Sequence, residues 1–369
     1  MESQDNKPTC LHSRHVALGA QMSPFGGFDM PIQYAGIIKE HNAVRSACGV
    51  FDVSHMGEMW VKGPDALRFV SHIFTNDISV GPSGKCYYGM MLNEDGGVVD
   101  DLLVYKLSDT ELFLIFNASN IEKDRRWISD HAAGYDVRLE DMCDVLGELA
   151  IQGPLSESVV EEVLSVPCAD LGFYTFRLCK WKGNDIIISR TGYTGEDGFE
   201  IYAAHDVICA MWDALLASGR CVPCGLGCRD TLRFEVGLPL YGDELADDIS
   251  PVEAGLSAFV KFDKEGGFIG RDAVAAIREG GPKRKLVGIE LLDRAIPRHG
   301  YEVLDADTDR VIGHVTTGYH AISVDKSVAM ALIEAPYAAL DTPVRIRIRR
   351  KTFPGRVVKK RFYDKHYKK

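Results

Sequence analysis

The sequence predicts an α+β protein: two related mixed units followed by a small antiparallel β-barrel. Three observations predict it. Between residues 55 and 133 the elements run strand, helix, hairpin, strand, helix, and not the regular βαβ alternation of a doubly wound sheet. The same order returns from ELAIQG to HDVICAMWDALLASG, a structural pseudo-repeat with little residue identity. From about residue 283 the strands become short and are separated by turns, as in a barrel.

Taken in order, AGIIKEHNAVRSA (35–47) spaces its apolar residues at helical intervals. GVFDV and GEMWVKG read as strands, and PDALRFVSHIF as a helix opened by Pro64. CYYGMML and VVDDLLVYKL, joined through NEDGG, form the clearest hairpin. ELFLIFN follows the polar turn at Ser108 and Asp109 and leads into the helix NIEKDRRWISDHA. In the second unit, ELAIQG is a strand and LSESVVEEVL a helix. YTFRLCKWKG, NDIIISRTG and GFEIYAA are strands before the helix HDVICAMWDALLASG. GLGCRDTLRFEVGLP is a glycine-rich opening of a further helix, and the polar REGGPKR marks a boundary near 275–285. KLVGIEL, VIGHVTTG, SVAMALI and VRIRIRR supply barrel strands. The predicted domains are 1–55 together with 140–275, then 56–139 carrying the hairpin, then 283–369.

At 369 residues, 46% hydrophobic and 26% charged, the composition is that of a folded globular protein. No apolar run approaches membrane-helix length, so no membrane partner is expected. The opening MESQDNKPTCLHSRH lacks a signal-peptide core, so a cytoplasmic location is expected. A formal charge of −11 argues against broad nucleic-acid binding. That charge is uneven: residues 345–369 hold twelve Lys/Arg and one Asp, the first 344 hold 30 Lys/Arg against 52 Asp/Glu. Arg345, Arg347 and Arg349 alternate with Ile346 and Ile348 as on a solvated strand. The sharper reading is a basic patch for an anionic ligand tail or an acidic partner. Ten cysteines are too sparse and irregular for a disulfide framework. Cys221, Cys224 and Cys228 have metal-like spacing but no evident fourth ligand, so small buried thiols and no metal are expected.

The chain has no G-x-x-x-x-G-K-[ST], complete G-x-G-x-x-G, H-E-x-x-H or G-x-S-x-G. The hairpin holds the first candidate chemistry. Strand parity puts Asp101 on one face with Leu103 and Tyr105, and Asp100 on the other with Leu102 and Val104. Both faces are apolar, so either carboxylate needs a partner or a shifted pKa. One reading is an Asp that accepts structural hydrogen bonds. The other is a polar anchor in a pocket walled by Tyr88, Tyr105 and Asn117, suited to a flat heterocycle. In RTGYTGEDGFE, likewise, either a plain loop joins two strands, or Tyr193 packs on a ring while Glu200 accepts from an amino-pyrimidine edge.

HVALGAQMSPFGGFDMPIQY, FDVSHMGE, TNDI, NEDGGVVDDLLVYK, SRTGYTGEDGFE, GLGCRDTLRFE, LPLYGDEL and SPVEAGL together resemble the successive blocks of the aminomethyltransferase family, the T-proteins of the glycine cleavage system. They cover about residues 11–275 in family order, and RHGYEVL, VIGHVTTG and VVKKRFY extend the resemblance more loosely. It implies a three-domain cloverleaf with two related mixed α/β (ferredoxin-like) units, a C-terminal barrel and folate in the central channel. It implies transfer of a one-carbon unit from the aminomethyl-lipoyl arm of H-protein to tetrahydrofolate as co-substrate, with release of ammonia, by a monomer without a metal. Asp101 matches the essential carboxylate, which holds and polarises the folate N10 region while N5 attacks. Met56, Tyr88, Tyr105, Asn117 and Tyr193 match folate-lining positions, Glu200 the pterin-reading acid, and Arg229 the folate-contacting basic residue.

Two departures stand out. Cys228 replaces the usual Ala before Arg229. TTGYHAISVDKSVAMAL replaces a Pro- and Gly-containing barrel loop near the channel, which leaves the partner contact there open. The alternatives are another folate-dependent demethylase or methyltransferase, and a non-enzymatic folate-binding protein of iron–sulfur assembly. The last carries a KGCxxGQ-type block that Gly84–Met90 does not reproduce.

Overall fold

The hairpin predicted around NEDGG forms the start of one of two adjoining sheets. In this computed structural model, which describes residues 6–367, Lys85–Leu92 pairs antiparallel with Val98–Ser108. Glu111–Phe116, Gly57–Lys62 and Arg138–Asp141 complete a five-stranded sheet in that order. The second sheet runs Phe176–Trp181, Asn184–Ser189, Gly198–Ala204, Leu146–Gln152, Gly49–Asp52, Val222–Pro223. Each sheet is built as strand, helix, three antiparallel strands, helix, with the first strand placed beside the fourth. This shared topology makes the pseudo-repeat visible where residue identity does not.

The two sheets meet edge to edge. Cys86 N–H donates to Tyr174 O at 2.9 Å and Phe176 N–H to Gly84 O at 2.8 Å, joining the two edge strands. An aromatic cluster of Tyr105, Phe113, Phe176 and Tyr202 fills the seam behind that junction. Other cores lie under the helices: Val159, Ile208, Met211 and Trp212 cover one sheet, while Phe69, Val70 and Ile73 cover the other.

Helix Ala66–Ile73 follows from an apolar stripe at helical spacing. Just before it, Asp65 accepts from the Asp136 N–H and from Arg68. The predicted LSESVVEEVL helix differs from expectation: Ser156–Val159 is α-helical, and Val160–Leu164 widens into a π turn ended by Ser165 at φ 57°. Residues 284–358 close a six-stranded antiparallel barrel, its first strand Arg284–Leu291 pairing with its last, Lys351–Val358. Among the described residues no helix is long and apolar enough to cross a membrane.

Sheets and barrel converge on helix Leu226–Glu235. Arg45, from helix Ile37–Ser46, donates to Glu196 and Glu235, both at 3.1 Å, and its guanidinium lies 4.4 Å from the Tyr363 ring. Glu235 also accepts the Ser323 N–H at 2.8 Å, and the Ser323 hydroxyl lies 2.9 Å from His41 Nε2. The unusual barrel loop is thus pinned to the centre of the molecule. Arg233 forms a second junction, to Glu244 and Asp230 at 2.7 Å each, and Thr316 and Thr317 of the barrel donate to Glu244.

Candidate active site

A cavity of about 1320 Å³ opens between the sheets, the central helix and the C-terminal segment. The hairpin turn determines how its acids are aimed. Asn93 closes the turn, accepting the Gly97 N–H on its side chain at 2.9 Å, while Gly96 takes φ 85°. A Cβ at Gly97 would collide with the Asp247 carbonyl, because the 246–249 segment clamps the turn through Val98 N–H. Pairing then slips by one residue: Leu92 faces Val98, Met91 faces Asp100, and Val99 is the extra residue. Beyond this bulge Asp101 and Leu103 line the cavity and Asp100 does not, although Leu102 also reaches the lining.

Asp101 Oδ2 accepts from Tyr88 OH at 2.9 Å, and Oδ1 from Asn117 Nδ2 at 2.9 Å. The surface it keeps open faces the cavity rather than bulk solvent. Burial, and then the adjacent Asp100 carboxyl, push its pKa up to about 7 against the hydrogen bonds from Tyr88 and Asn117. Asp100 is fully buried and accepts from Asn117 N–H at 3.0 Å, Asn117 Nδ2 at 2.9 Å and Asn120 Nδ2 at 2.7 Å. Behind it lies buried Asp124, whose carboxyl adjoins that of Asp100; burial followed by Asp100 raises its pKa to about 11.

Tyr193 OH donates to the Pro239 carbonyl, and the Arg229 guanidinium lies 5.0 Å from its ring. The loop that carries Tyr193 is anchored by buried Arg190, which binds Asp197 and Glu157. Glu200 accepts from Thr191 Oγ1, and its pKa is raised by burial against the pull of Arg229. Met56, Tyr88, Asn117, Tyr193, Glu200 and Arg229 all line the same cavity as Asp101. Tyr105 does not. It is fully buried in the seam between the sheets, its hydroxyl 3.0 Å from both Ser189 Oγ and Tyr202 OH. The expected cavity-facing Tyr105 is therefore corrected to a residue behind the wall: parity gave its face but not its depth.

Sequence reasoning missed His55, Glu148 and Thr191, which also line the cavity. His55 adjoins Met56 in FDVSHMGE and was open to notice; Glu148 sits inside an apolar strand with no signal of its own. Exposed Lys359 and Arg361, with Lys360 and Lys365, border the opening. Lys360 donates to the Ala254 carbonyl at 2.6 Å, and burial lowers its pKa to about 8. The tempting cysteines are buried thiols; Cys221 Sγ lies 3.4 Å from Cys48 Sγ. The arrangement is an aromatic-walled cavity with a titratable acid on its wall, carboxyl groups and Arg229 inside, and lysines with Arg361 at the C-terminal segment.

The family description "GCVT N-terminal domain" matches residues 11–264, and "Glycine cleavage T-protein C-terminal barrel domain" matches residues 284–364. The chain belongs to the glycine cleavage T-protein family. T-protein relatives match it throughout. An aminomethyltransferase of Caldanaerobacter subterraneus subsp. tengcongensis is 48% identical over 100% of this chain and 99% of its own. One from a Thermoanaerobacter species is 46% identical over 98% and 99%. The crystal structure of glycine cleavage system aminomethyltransferase T from Bartonella henselae superposes with a TM-score of 0.94 at 32% identity, covering 99% of this chain and 100% of that one.

Proposed function

We propose that the chain is the aminomethyltransferase of a glycine cleavage system. It moves the one-carbon unit from the aminomethyl-lipoyl arm of H-protein to tetrahydrofolate, giving 5,10-methylenetetrahydrofolate, ammonia and dihydrolipoyl H-protein. The observation that carries this reading is Asp101, held by Tyr88 and Asn117 on the wall of an aromatic cavity.

The cavity's chemistry fits a reduced folate. Tyr88 and Tyr193 offer aromatic surface, and buried His55 Nδ1, Glu148 Oε2 and Arg229 Nη1 lack protein partners on the wall. Tetrahydrofolate supplies the nucleophilic N5 that receives the carbon. Asp101, poised near neutrality, holds or gives up a proton beside the reacting centre, a role worth roughly 10²–10⁴-fold. Tyr88 and Asn117 fix its two oxygens, so positioning supplies a further share of the rate. Glu200 accepts from the amino-pyrimidine edge, Arg229 orients Tyr193, and the apolar wall excludes water. Lys359, Arg361 and Lys365 suit the anionic glutamate tail. Its ten free cysteines suit a reducing cytoplasm.

The test is ammonia release from aminomethyl-loaded H-protein with and without tetrahydrofolate. Folate-dependent release is expected; its absence from the intact protein would refute the assignment.

A further inference from the structure

Strand Leu146–Gln152 pairs with Gly198–Ala204 so that Glu148 faces Tyr202 and Ala150 faces Glu200. Glu148 and Glu200 therefore lie diagonally on one face, where strand neighbours are roughly 7–8 Å apart. Both line the cavity, with Arg229 on the same wall. They are not equivalent. Glu200 has a donor in Thr191. Glu148 is 2% exposed; its Oε2 is sealed from solvent with no hydrogen-bond partner, and Tyr202, opposite it in the register, is the one side-chain donor that acts on the carboxyl. Buried polar atoms without partners are rare, and an apolar side chain on this strand would avoid the cost.

We propose that Glu148 is a second pterin-reading group: as a neutral acid it donates a hydrogen bond to the C4 carbonyl, while Glu200 accepts from the adjacent N3–H and 2-amino group. This rests on the folate reading above. The division of labour follows from the ligand edge, which presents two donors flanked by acceptors. An ionised carboxylate serves only the donors, whereas a protonated one can serve an acceptor. Of the flanking acceptors, the carbonyl has two lone pairs and is the stronger. Burial first, then Glu200, raises the Glu148 pKa well above the ordinary value, although Arg229 and the Tyr202 hydroxyl pull the other way. Asp52 and, from the other sheet, Glu58 add further negative neighbours that favour the neutral form.

The experiment measures calorimetric affinity for 5-formyltetrahydrofolate and for a 4-amino-4-deoxy analogue, which presents a donor where the carbonyl stood. Wild type, Glu148→Gln and Glu148→Leu are compared, with melting temperatures taken without ligand. Glu148→Gln retains a neutral donor and should stay within about threefold of wild type. Glu148→Leu should weaken the 4-oxo ligand about tenfold or more, as loss of a buried hydrogen-bond partner does, and should shrink the preference over the analogue to the part that Glu200 keeps through N3–H, which the 4-amino compound also lacks. Its ligand-free melting temperature should equal or exceed that of wild type, because an unpartnered acid is removed. Unchanged affinity in Glu148→Leu, an equal loss in Glu148→Gln, an undiminished 4-oxo preference, or failure of Glu148→Leu to fold would each overturn the proposal. If wild type binds neither ligand, the folate reading itself falls. If it binds and the variants do not differ, only the role of Glu148 falls.

Discussion

Asp100 and Asp101 share one donor: Nδ2 of Asn117 lies 2.9 Å from Oδ1 of each. The two acids point to opposite faces yet are coupled through this amide. Asp101→Asn should lose at least about 10²-fold in turnover while holding folate within a few-fold. Asp100→Asn should instead lose about 2 kcal/mol of stability, because three N–H groups lose a charged acceptor. Steady-state kinetics and urea titration separate the two, and equal activity losses would contradict this division.

The pH dependence follows from Asp101, whose pKa rises from 3.8 unfolded to about 7 folded. Between those values the folded state binds more protons, so this group makes stability fall as pH climbs from about 4 through 7. Asp101→Asn should remove that slope in a wild-type-minus-variant comparison of denaturation midpoints. With Asp101 acting as a base, kcat/KM should rise with an apparent pKa near 7. Asp100→Asn should move that midpoint downward, since Asp100 is the second cause of the rise.

Gly97→Ala tests the clamp on the turn. Its Cβ would meet the Asp247 carbonyl, a backbone atom fixed by the Val98 contacts. The expected cost is about 1–3 kcal/mol, together with lower turnover from a displaced Asp101. Thermal melting and a kinetic assay on the same preparation check both.

Arg190 is fully buried against Asp197 and Glu157 and carries the Tyr193 loop. Arg190→Met should destabilise by about 3 kcal/mol, because it strands the buried Asp197 carboxylate. The folate KM should rise more than kcat falls, as Tyr193 loses its anchored loop.

At the opening, replacing Lys359, Arg361 and Lys365 with alanine should weaken binding of polyglutamylated folate more than of the monoglutamate. The difference should shrink at high salt. Titration of folates of increasing tail length reads it out, and identical losses for all lengths would place the tail elsewhere.

Much of this was readable from the chain, because short apolar runs bounded by turn residues mark strands, and side chains on any strand alternate between its faces. The hairpin, the barrel strands and the opposite orientation of Asp100 and Asp101 came from these two signals. Depth was not readable. Tyr105 shares a face with Asp101, yet it ends in a seam formed by Ser189 and Tyr202, more than eighty residues away in sequence. Glu148 was hidden for the same reason: its environment is made by the neighbouring strand, the central helix and the cavity. The Val99 bulge escaped too, since it depends on the 246–249 segment gripping the turn.

Arg45 is made early in synthesis, but its partners come late. The nearest in sequence, Thr194, is 149 residues further on, and Ser323 is 278 residues on. Loop closure over such spans is entropically costly, and nothing compensates until the distant segments arrive. A growing chain on the ribosome thus lacks partners for this guanidinium until residues 194–235 have been made, and Ser323 and Tyr363 come later still. A chain that stops short of Tyr363 leaves that charge without its last cover. Truncation at the far end is therefore felt at a charge in the first fifty residues.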